Sequence, residues 1–196
     1  MKKIVALVLL GINLNANSQI VEVEKSFFSL QTGFAGVWVN NETRLSNRIA
    51  LRTEIGLEHD FFVGDQYDGA DFIFQPVVTV EPRYYYNLER RSSNGNKTSK
   101  NSANYLSLKT SYHPDCFVLN LDDAITKTAD LSIIPTWGMK RQIGSKFTYE
   151  TGIGFGYRMV YLKPNYYNGS SQNVDNESTN RGQYTPYLHL RIGYIL

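Results

Sequence analysis

From residue 184 to the end of the chain, every second residue is apolar or aromatic. This set is Tyr184, Pro186, Leu188, Leu190, Ile192, Tyr194 and Leu196, and the interleaved set is Thr185, Tyr187, His189, Arg191, Gly193 and Ile195. Side chains of a β-strand point alternately to opposite faces, whereas a helix repeats about every 3.6 residues. The segment therefore predicts a strand with one apolar face and one more polar face.

Five earlier segments show the same alternation, and no segment of comparable length has the periodicity of a helix. They cover residues 48–58, 72–84, 105–112, 131–140 and 147–161. Most are about 10–14 residues long, the length of a tilted strand that crosses a bilayer, whereas strands of soluble sheets average about 5–6 residues. Long alternating strands separated by polar connections predict an all-β fold and are typical of bacterial outer-membrane β-barrels.

The run from residue 26 to residue 45 also alternates, but its apolar phase changes midway. Phe28, Leu30, Thr32 and Phe34 share one phase, Val37, Val39 and Leu45 share the other, and Gly33 and Gly36 lie at the change. Either one long strand contains a bulge here or two strands meet at a tight connection. Because single-chain bacterial barrels have even strand numbers, we predict an antiparallel up-and-down transmembrane β-barrel of eight strands.

The connections between these segments alternate in length, as they do at the two faces of an outer-membrane barrel. Residues 46–47 and 141–145 predict tight turns, whereas residues 60–71, 113–130 and 163–182 form long polar connections. Residues 87–102 are the exception. This connection is long and basic, yet the up-and-down order of the strands places it on the same side as the short turns.

Alternation alone also fits a soluble, lipocalin-like barrel with its apolar face inside. Three features favour the polar face inside: nearby opposite charges, glycines on the polar face, and aromatic residues that bracket the apolar runs. Charges inside a narrow barrel require partners, and Arg52 with Glu54, Glu81 with Arg83, and Glu150 with Arg158 are close in sequence. We therefore predict a structural charge network in the lumen formed by Arg52, Glu54, Glu81, Arg83, Glu150, Arg158, His189 and Arg191.

Residues 1–18 have the pattern of a secretory signal peptide. Lys2 and Lys3 precede a short apolar stretch at residues 4–12, and Ala16 and Ser18 precede a cleavage position before Gln19. We predict a signal peptide at residues 1–18, a single barrel domain at residues 19–196, and export to the bacterial outer membrane.

The net charge, cysteine content and mean hydropathy of the chain bear on which classes of function are compatible with it. The net charge of +2 provides no large basic surface, which argues against a nucleic-acid partner, and the single Cys116 forms no internal disulfide. The mean hydropathy of −0.33 is compatible with a membrane barrel, because only alternate residues of each strand face lipid.

Two blocks and the C-terminus resemble small uncharacterised outer-membrane β-barrel proteins common in Bacteroidota. The blocks are EPRYYYNLERRSSNGNKTSKNSANYLSLKTSYHP at residues 81–114 and IIPTWGMKRQIGSKFTYETGIGFGYR at residues 133–158, and the chain ends in LHLRIGYIL. The resemblance implies an envelope location and an eight-stranded barrel, with no known activity. We expect such a barrel to contact outer-membrane lipid and lipopolysaccharide, and to engage the barrel-assembly machinery through its C-terminal strand.

Few residues offer catalytic or metal-binding chemistry. Ser111 and His113, with Asp115 nearby, are candidates for a Ser-His-acid arrangement at a barrel rim. The alternative is that these residues lie at the rim and only contact water or lipid headgroups. The acidic stretch at residues 65–71 lacks the spacing of an EF-hand. We therefore predict no enzymatic activity, no catalytic residue, no metal and no cofactor.

These observations favour a structural or surface-interaction role for a membrane barrel whose lumen is plugged by paired charges. Three alternatives stay open at this stage: a narrow channel for small solutes, a lipid-modifying outer-membrane enzyme, and a soluble secreted binder. Nothing in the sequence pattern specifies an oligomeric state.

Overall fold

In the computed structural model of the chain, residues 21–59, 74–116, 129–161 and 180–196 are described. The predicted signal peptide and the acidic stretch at residues 65–71 lie outside these ranges. The described residues form eight β-strands, one short α-helix and one 3₁₀ helix. No helix among them is long and apolar enough to span a membrane.

The strands form one closed barrel. They are β1 Ser26–Gly33, β2 Gly36–Ser46, β3 Ile49–His59, β4 Phe74–Tyr84, β5 Asn104–His113, β6 Asp130–Ile143, β7 Phe147–Val160 and β8 Arg181–Ile195. Each strand pairs antiparallel with the next in the chain, and β1 pairs with β8. The prediction of an all-β, antiparallel, up-and-down barrel of eight strands is confirmed.

The opening run of the chain forms two strands joined by a tight turn at residues 34–35. Gly33 and Gly36 flank this turn, where the apolar phase of the sequence changes. A Cβ atom at Gly33 would collide with the carbonyl oxygen of Leu190, and one at Gly36 would collide with that of Leu57. Glycine at both positions therefore permits the close backbone approach that the turn requires.

The two faces of the barrel wall differ in polarity. Inward-facing side chains are mostly polar and buried, whereas outward-facing ones are mostly apolar and exposed. On β7, Ile153 and Phe155 point outward and are 60% and 62% exposed, while Thr148 and Glu150 point inward and are 0% and 1% exposed. This arrangement is the reverse of a soluble barrel, in which the apolar face forms the core.

Four prolines lie inside strands, although proline has no backbone N–H to donate to a β-ladder. They are Pro76, Pro82, Pro135 and Pro186. The ladder between β4 and β5 is interrupted at residues 81–82, and the ladder between β6 and β7 is interrupted at residues 134–135. Pro82 and Pro135 thus fall at gaps in one ladder, while their other edges stay paired with Leu51 and Leu108.

The connection between β4 and β5 folds over one end of the barrel, the cap end, while the turn at residues 34–35 marks the far end. The connection contains α1 (Leu88–Ser93) and a 3₁₀ helix (Ser99–Asn101). Its apolar side chains join the segment before β1 and the barrel wall in a buried cluster of Val23, Ala50, Tyr85, Leu88, Ala103 and Tyr105. The unusual length of this connection therefore reflects its role in closing the barrel.

Polar contacts also tie this cap to the barrel interior. Asn101 donates from Nδ2 to Glu42 at 2.8 Å, and its Oδ1 accepts the backbone N–H of Glu24 at 2.8 Å. Asn101 has a φ of 57°, a left-handed conformation that asparagine tolerates better than most residues. One side chain thus links the connection, the segment before β1 and the lumen.

Replacing Leu88 with alanine should loosen the cap without opening the barrel wall. Loss of a buried leucine side chain costs about 2–4 kcal/mol. Trypsin should therefore cleave the connection at Arg90 or Arg91 at least about tenfold faster, since cleavage follows local opening. The same substitution at the outward-facing Leu108 should leave this cleavage rate unchanged, and equal rates in the two variants would contradict the packing of the cap.

Candidate functional site

The barrel interior is the candidate functional site because it gathers many buried charges. Alternate residues of each strand point inward, so the register between strands decides which charged side chains meet. The buried carboxylates are Glu42, Glu54, Glu81, Asp130 and Glu150, and the buried cations are Arg52, Arg83, Lys109, Lys140, Arg158 and Arg191. His113 and His189 are buried among them.

Glu150 on β7 is the centre of the network. Its carboxylate accepts hydrogen bonds from Arg83 at 2.7 Å, from Arg52 at 3.1 and 3.2 Å, and from the Tyr105 hydroxyl at 2.8 Å. Nε2 of His189 lies 3.4 Å from the same carboxylate. Arg52 belongs to β3, which lies opposite β7 in the order of eight strands, so this ion pair crosses the lumen.

Charges two residues apart on one strand also meet, since such residues share a face. Arg52 contacts Glu54 directly, and Arg83 donates to Glu81 at 2.7 Å. Arg191 on β8 donates to Glu54 at 2.7 Å. These contacts join neighbouring charges of β3 and β4 to the pairs that cross the lumen.

A second crossing closes the interior near the cap. Lys140 on β6 donates to Glu42 on β2 at 2.6 Å, and these strands are also opposite each other in the barrel. The hydroxyl of Tyr85, just after β4, donates to Glu42 at 2.9 Å. Burial raises the pKa of Tyr85 well above its ordinary value, and the Glu42 carboxylate raises it further, so the phenol keeps the proton that it donates.

His113 joins two carboxylates near the far end. Its Nδ1 lies 2.8 Å from Asp130 and its Nε2 lies 2.9 Å from Glu58. Ionised carboxylates only accept hydrogen bonds, so the ring donates from both nitrogens and carries a positive charge. Arg158 donates to Asp130 at 2.7 Å, and the indole of Trp38 donates to Glu58 at 3.2 Å.

The expected pairing of Arg158 with Glu150 is wrong. Arg158 pairs with Asp130, which begins the neighbouring strand β6. Glu150 lies near the start of β7 and Arg158 near its end, so the two side chains occupy different heights of the lumen. Eight residues on one extended strand span roughly 26 Å, too far for direct contact.

Ser111 and His113, the candidate catalytic pair of the sequence, have other partners in the structure. The Ser111 hydroxyl lies 2.8 Å from Thr79 Oγ1 and accepts a hydrogen bond from the ammonium of Lys109 at 2.6 Å. Both nitrogens of His113 face carboxylates, so neither is directed as a base toward Ser111.

A cavity lies in the half of the interior nearer the far end. The empty space inside it, together with the solvent at its open mouth, amounts to about 720 Å³. Its wall combines aromatic and apolar groups, among them Trp38, Ile134 and Tyr187, with the charged ends of Lys109 and Arg191. The cavity therefore offers both apolar contact and positive charge.

Comparisons with protein-family models, curated proteins and solved structures found no match. Within the described ranges, no group of three or more histidine, cysteine or acidic side chains is placed to hold a metal ion. Two ion pairs that join opposite strands make a filled, cross-braced lumen near the cap, with an open cavity beyond it.

All eight predicted lumen residues are buried inside the barrel. Seven of them, all except Arg158, belong to the connected group around Glu150. Sequence reasoning left out several further lumen charges, namely Glu42, Glu58, Lys109, Asp130 and Lys140. These residues share the inward phase of their strands, so the alternation itself was the signal that could have identified them.

Replacing Glu150 with glutamine should destabilise the barrel strongly. Arg52 and Arg83 would remain buried without the carboxylate that they share, and breaking a buried ion pair costs about 3–5 kcal/mol. Equilibrium unfolding in urea, in detergent micelles or lipid vesicles, measures this loss. Glu89→Gln is the matched control and should change stability little, because Glu89 pairs with Arg48 at the surface. Similar losses in both variants would contradict a central role for Glu150.

Proposed function

We propose that this chain is an integral β-barrel protein of a bacterial outer membrane, without enzymatic activity, in a structural or surface-interaction role. The observation that carries the proposal is the inverted polarity of the barrel wall, with apolar side chains outside and charges inside. A closed barrel is one of the two backbone arrangements that satisfy every hydrogen bond within a bilayer.

The outward apolar surface is suited to lipid. On the adjacent strands β7 and β8, Ile153, Phe155, Leu188 and Leu190 are each between 57% and 64% exposed. Soluble monomers rarely expose contiguous apolar patches larger than roughly a few hundred Å². A bilayer would bury this surface in hydrocarbon, while the paired charges stay within the lumen.

Aromatic residues gather at both ends of this apolar surface. Phe147 and Tyr194 pack edge to face near the cap end, with ring centroids 5.4 Å apart. Phe155, Tyr157 and Tyr184 pack together near the far end. Aromatic rings at two heights are typical of barrels whose rims lie at the two membrane interfaces.

We further propose that the cap end faces the periplasm and the far end faces lipopolysaccharide and the exterior. Two of the three tight turns between the described strands, at residues 47–48 and 144–146, lie at the cap end, and short turns are periplasmic in such barrels. The signal-peptide pattern at residues 1–18 supports export, and the C-terminal strand β8 supports delivery by the barrel-assembly machinery. This location agrees with the Bacteroidota barrels that the sequence resembles.

The filled lumen favours this role over the two other membrane functions. Ion pairs between Arg52 and Glu150 and between Lys140 and Glu42 join opposite strands, and an eight-stranded barrel is wide enough only for side chains or one small ligand. A solute channel would require a continuous path past both pairs. Lipid modification would require a nucleophile with a base, and Ser111 and His113 are engaged by other partners.

Replacing Ile153 with arginine tests the proposal, because the substitution should destabilise a membrane barrel and change the stability of a soluble barrel little. Ile153 lies midway along β7 on the outward face. In a bilayer, arginine at the midplane costs about 2–4 kcal/mol. The folded fraction in lipid vesicles should fall, measured as the faster-migrating band of an unboiled sample in gel electrophoresis.

The matched control is Phe147→Arg on the same strand and face, next to the turn at residues 144–146. Near the interface the same charge costs only about 0–1 kcal/mol, so this variant should fold almost as the parent does. The membrane proposal would be overturned if Ile153→Arg folded as well as the parent and if the parent were recovered from the aqueous fraction of cells.

A further inference from the structure

Lys109 on β5 differs from every other buried lysine or arginine of the described lumen. Arg52, Arg83, Lys140, Arg158 and Arg191 each have a carboxylate within 4.0 Å. Lys109 is 3% exposed, and none of the described carboxylates lies within ion-pair distance of its ammonium. A buried ammonium without a direct ion pair is costly. The Glu54 and Glu58 carboxylates act on Lys109 only at longer range.

The ammonium of Lys109 is directed toward the far end. It donates to Ser111, two residues nearer that end, and lies 4.6 Å from the ring centroid of Tyr187. The carboxylates whose charge reaches it have nearer partners, since Glu58 pairs with His113 and Glu54 pairs with Arg191. Lys109 thus contributes its charge to the cavity instead of the network around Glu150.

Among the charges of the described lumen, the positive charge of Lys109 has no matching carboxylate. The carboxylates are Glu42, Glu54, Glu58, Glu81, Asp130 and Glu150, and the cations that contact them are Arg52, Arg83, His113, Lys140, Arg158 and Arg191. The two sets match in number once His113 is counted as a cation. The charge of Lys109 therefore stands in excess, in the wall of the cavity.

Part of the remaining cavity wall is apolar, and Glu58, His113 and Arg158 line another part of it. The guanidinium of Arg191 lies 3.7 Å from the ring centroid of Trp38 and covers one face of its indole. Ile134 and Pro186 add aliphatic surface. Binding cavities commonly combine apolar walls with a few polar groups that orient the ligand.

We propose that this cavity binds a small organic molecule with a single negative group attached to an apolar body. The negative group ion-pairs with Lys109 beside Ser111, and the apolar body lies against Trp38, Ile134 and Tyr187. The proposal goes beyond the proposed function and needs only the folded barrel, so it stands or fails in detergent micelles regardless of where the protein resides.

Three probes of similar shape and different charge test this proposal: benzoate, benzamide and benzylammonium. Calorimetric titration of the detergent-solubilised protein should show that benzoate binds at least about tenfold tighter than benzamide, as one charge-assisted hydrogen bond implies. Benzylammonium should bind more weakly still. In a Trp137→Phe background, benzoate should change the emission of Trp38, which locates the site.

The charge of Lys109 is tested with Lys109→Met and Lys109→Arg. Lys109→Met should lose the preference for benzoate over benzamide, and Lys109→Arg should keep it. Lys146→Met, which removes a lysine from the turn at the cap end, is the matched control and should leave binding unchanged. If Lys109→Met does not fold, the preference of the parent and of Lys109→Arg for benzoate over benzamide tests the proposal instead.

Two results would overturn the proposal. One is a parent protein that binds none of the probes or binds benzoate and benzamide equally. The other is a folded Lys109→Met variant that keeps the preference for benzoate. Neither result would affect the membrane location, which the response to Ile153→Arg reports separately.

Discussion

Compensation of charge across the lumen is the constraint on which the structure depends. Side chains fill the half of the barrel near the cap, so each ion buried there needs a partner of opposite sign. Glu150 meets this need for Arg52 and Arg83 at once, and Glu42 meets it for Lys140. Because these contacts reach between opposite strands, they brace the barrel and fill it.

The polarity of the outer surface follows from the same constraint. In a strand, a residue that points inward is followed by one that points outward, so a charged inner face leaves the apolar residues outside. The barrel also needs closure at its ends, where strand alternation stops. At the cap end, the connection between β4 and β5 supplies Tyr85 and Leu88 to an apolar cluster and Asn101 to the Glu42 carboxylate.

Local pattern was enough to predict most of the strands and the pairs of charges that lie two residues apart on one strand. The apolar phase located six strands and the point in the opening run where the phase changes, whereas the choice of two strands there came from the even strand number of such barrels. A spacing of two residues indicated the pair of Arg52 and Glu54. Partners on other strands were beyond such reasoning, since the pairing of Arg158 with Asp130 depends on the register between β6 and β7. The cap was also beyond it, because residues 85–103 have little alternation and gain their structure from packing on the barrel end.

The two tryptophans give the most direct test of the inverted polarity. Trp137 points outward and is 41% exposed, whereas Trp38 points into the lumen and is 2% exposed. In vesicles of lipid brominated on its acyl chains, a variant with only Trp137 should lose most of its fluorescence, and one with only Trp38 should lose little. Strong quenching of Trp38 without quenching of Trp137, or no quenching of either, would contradict an apolar face in contact with lipid.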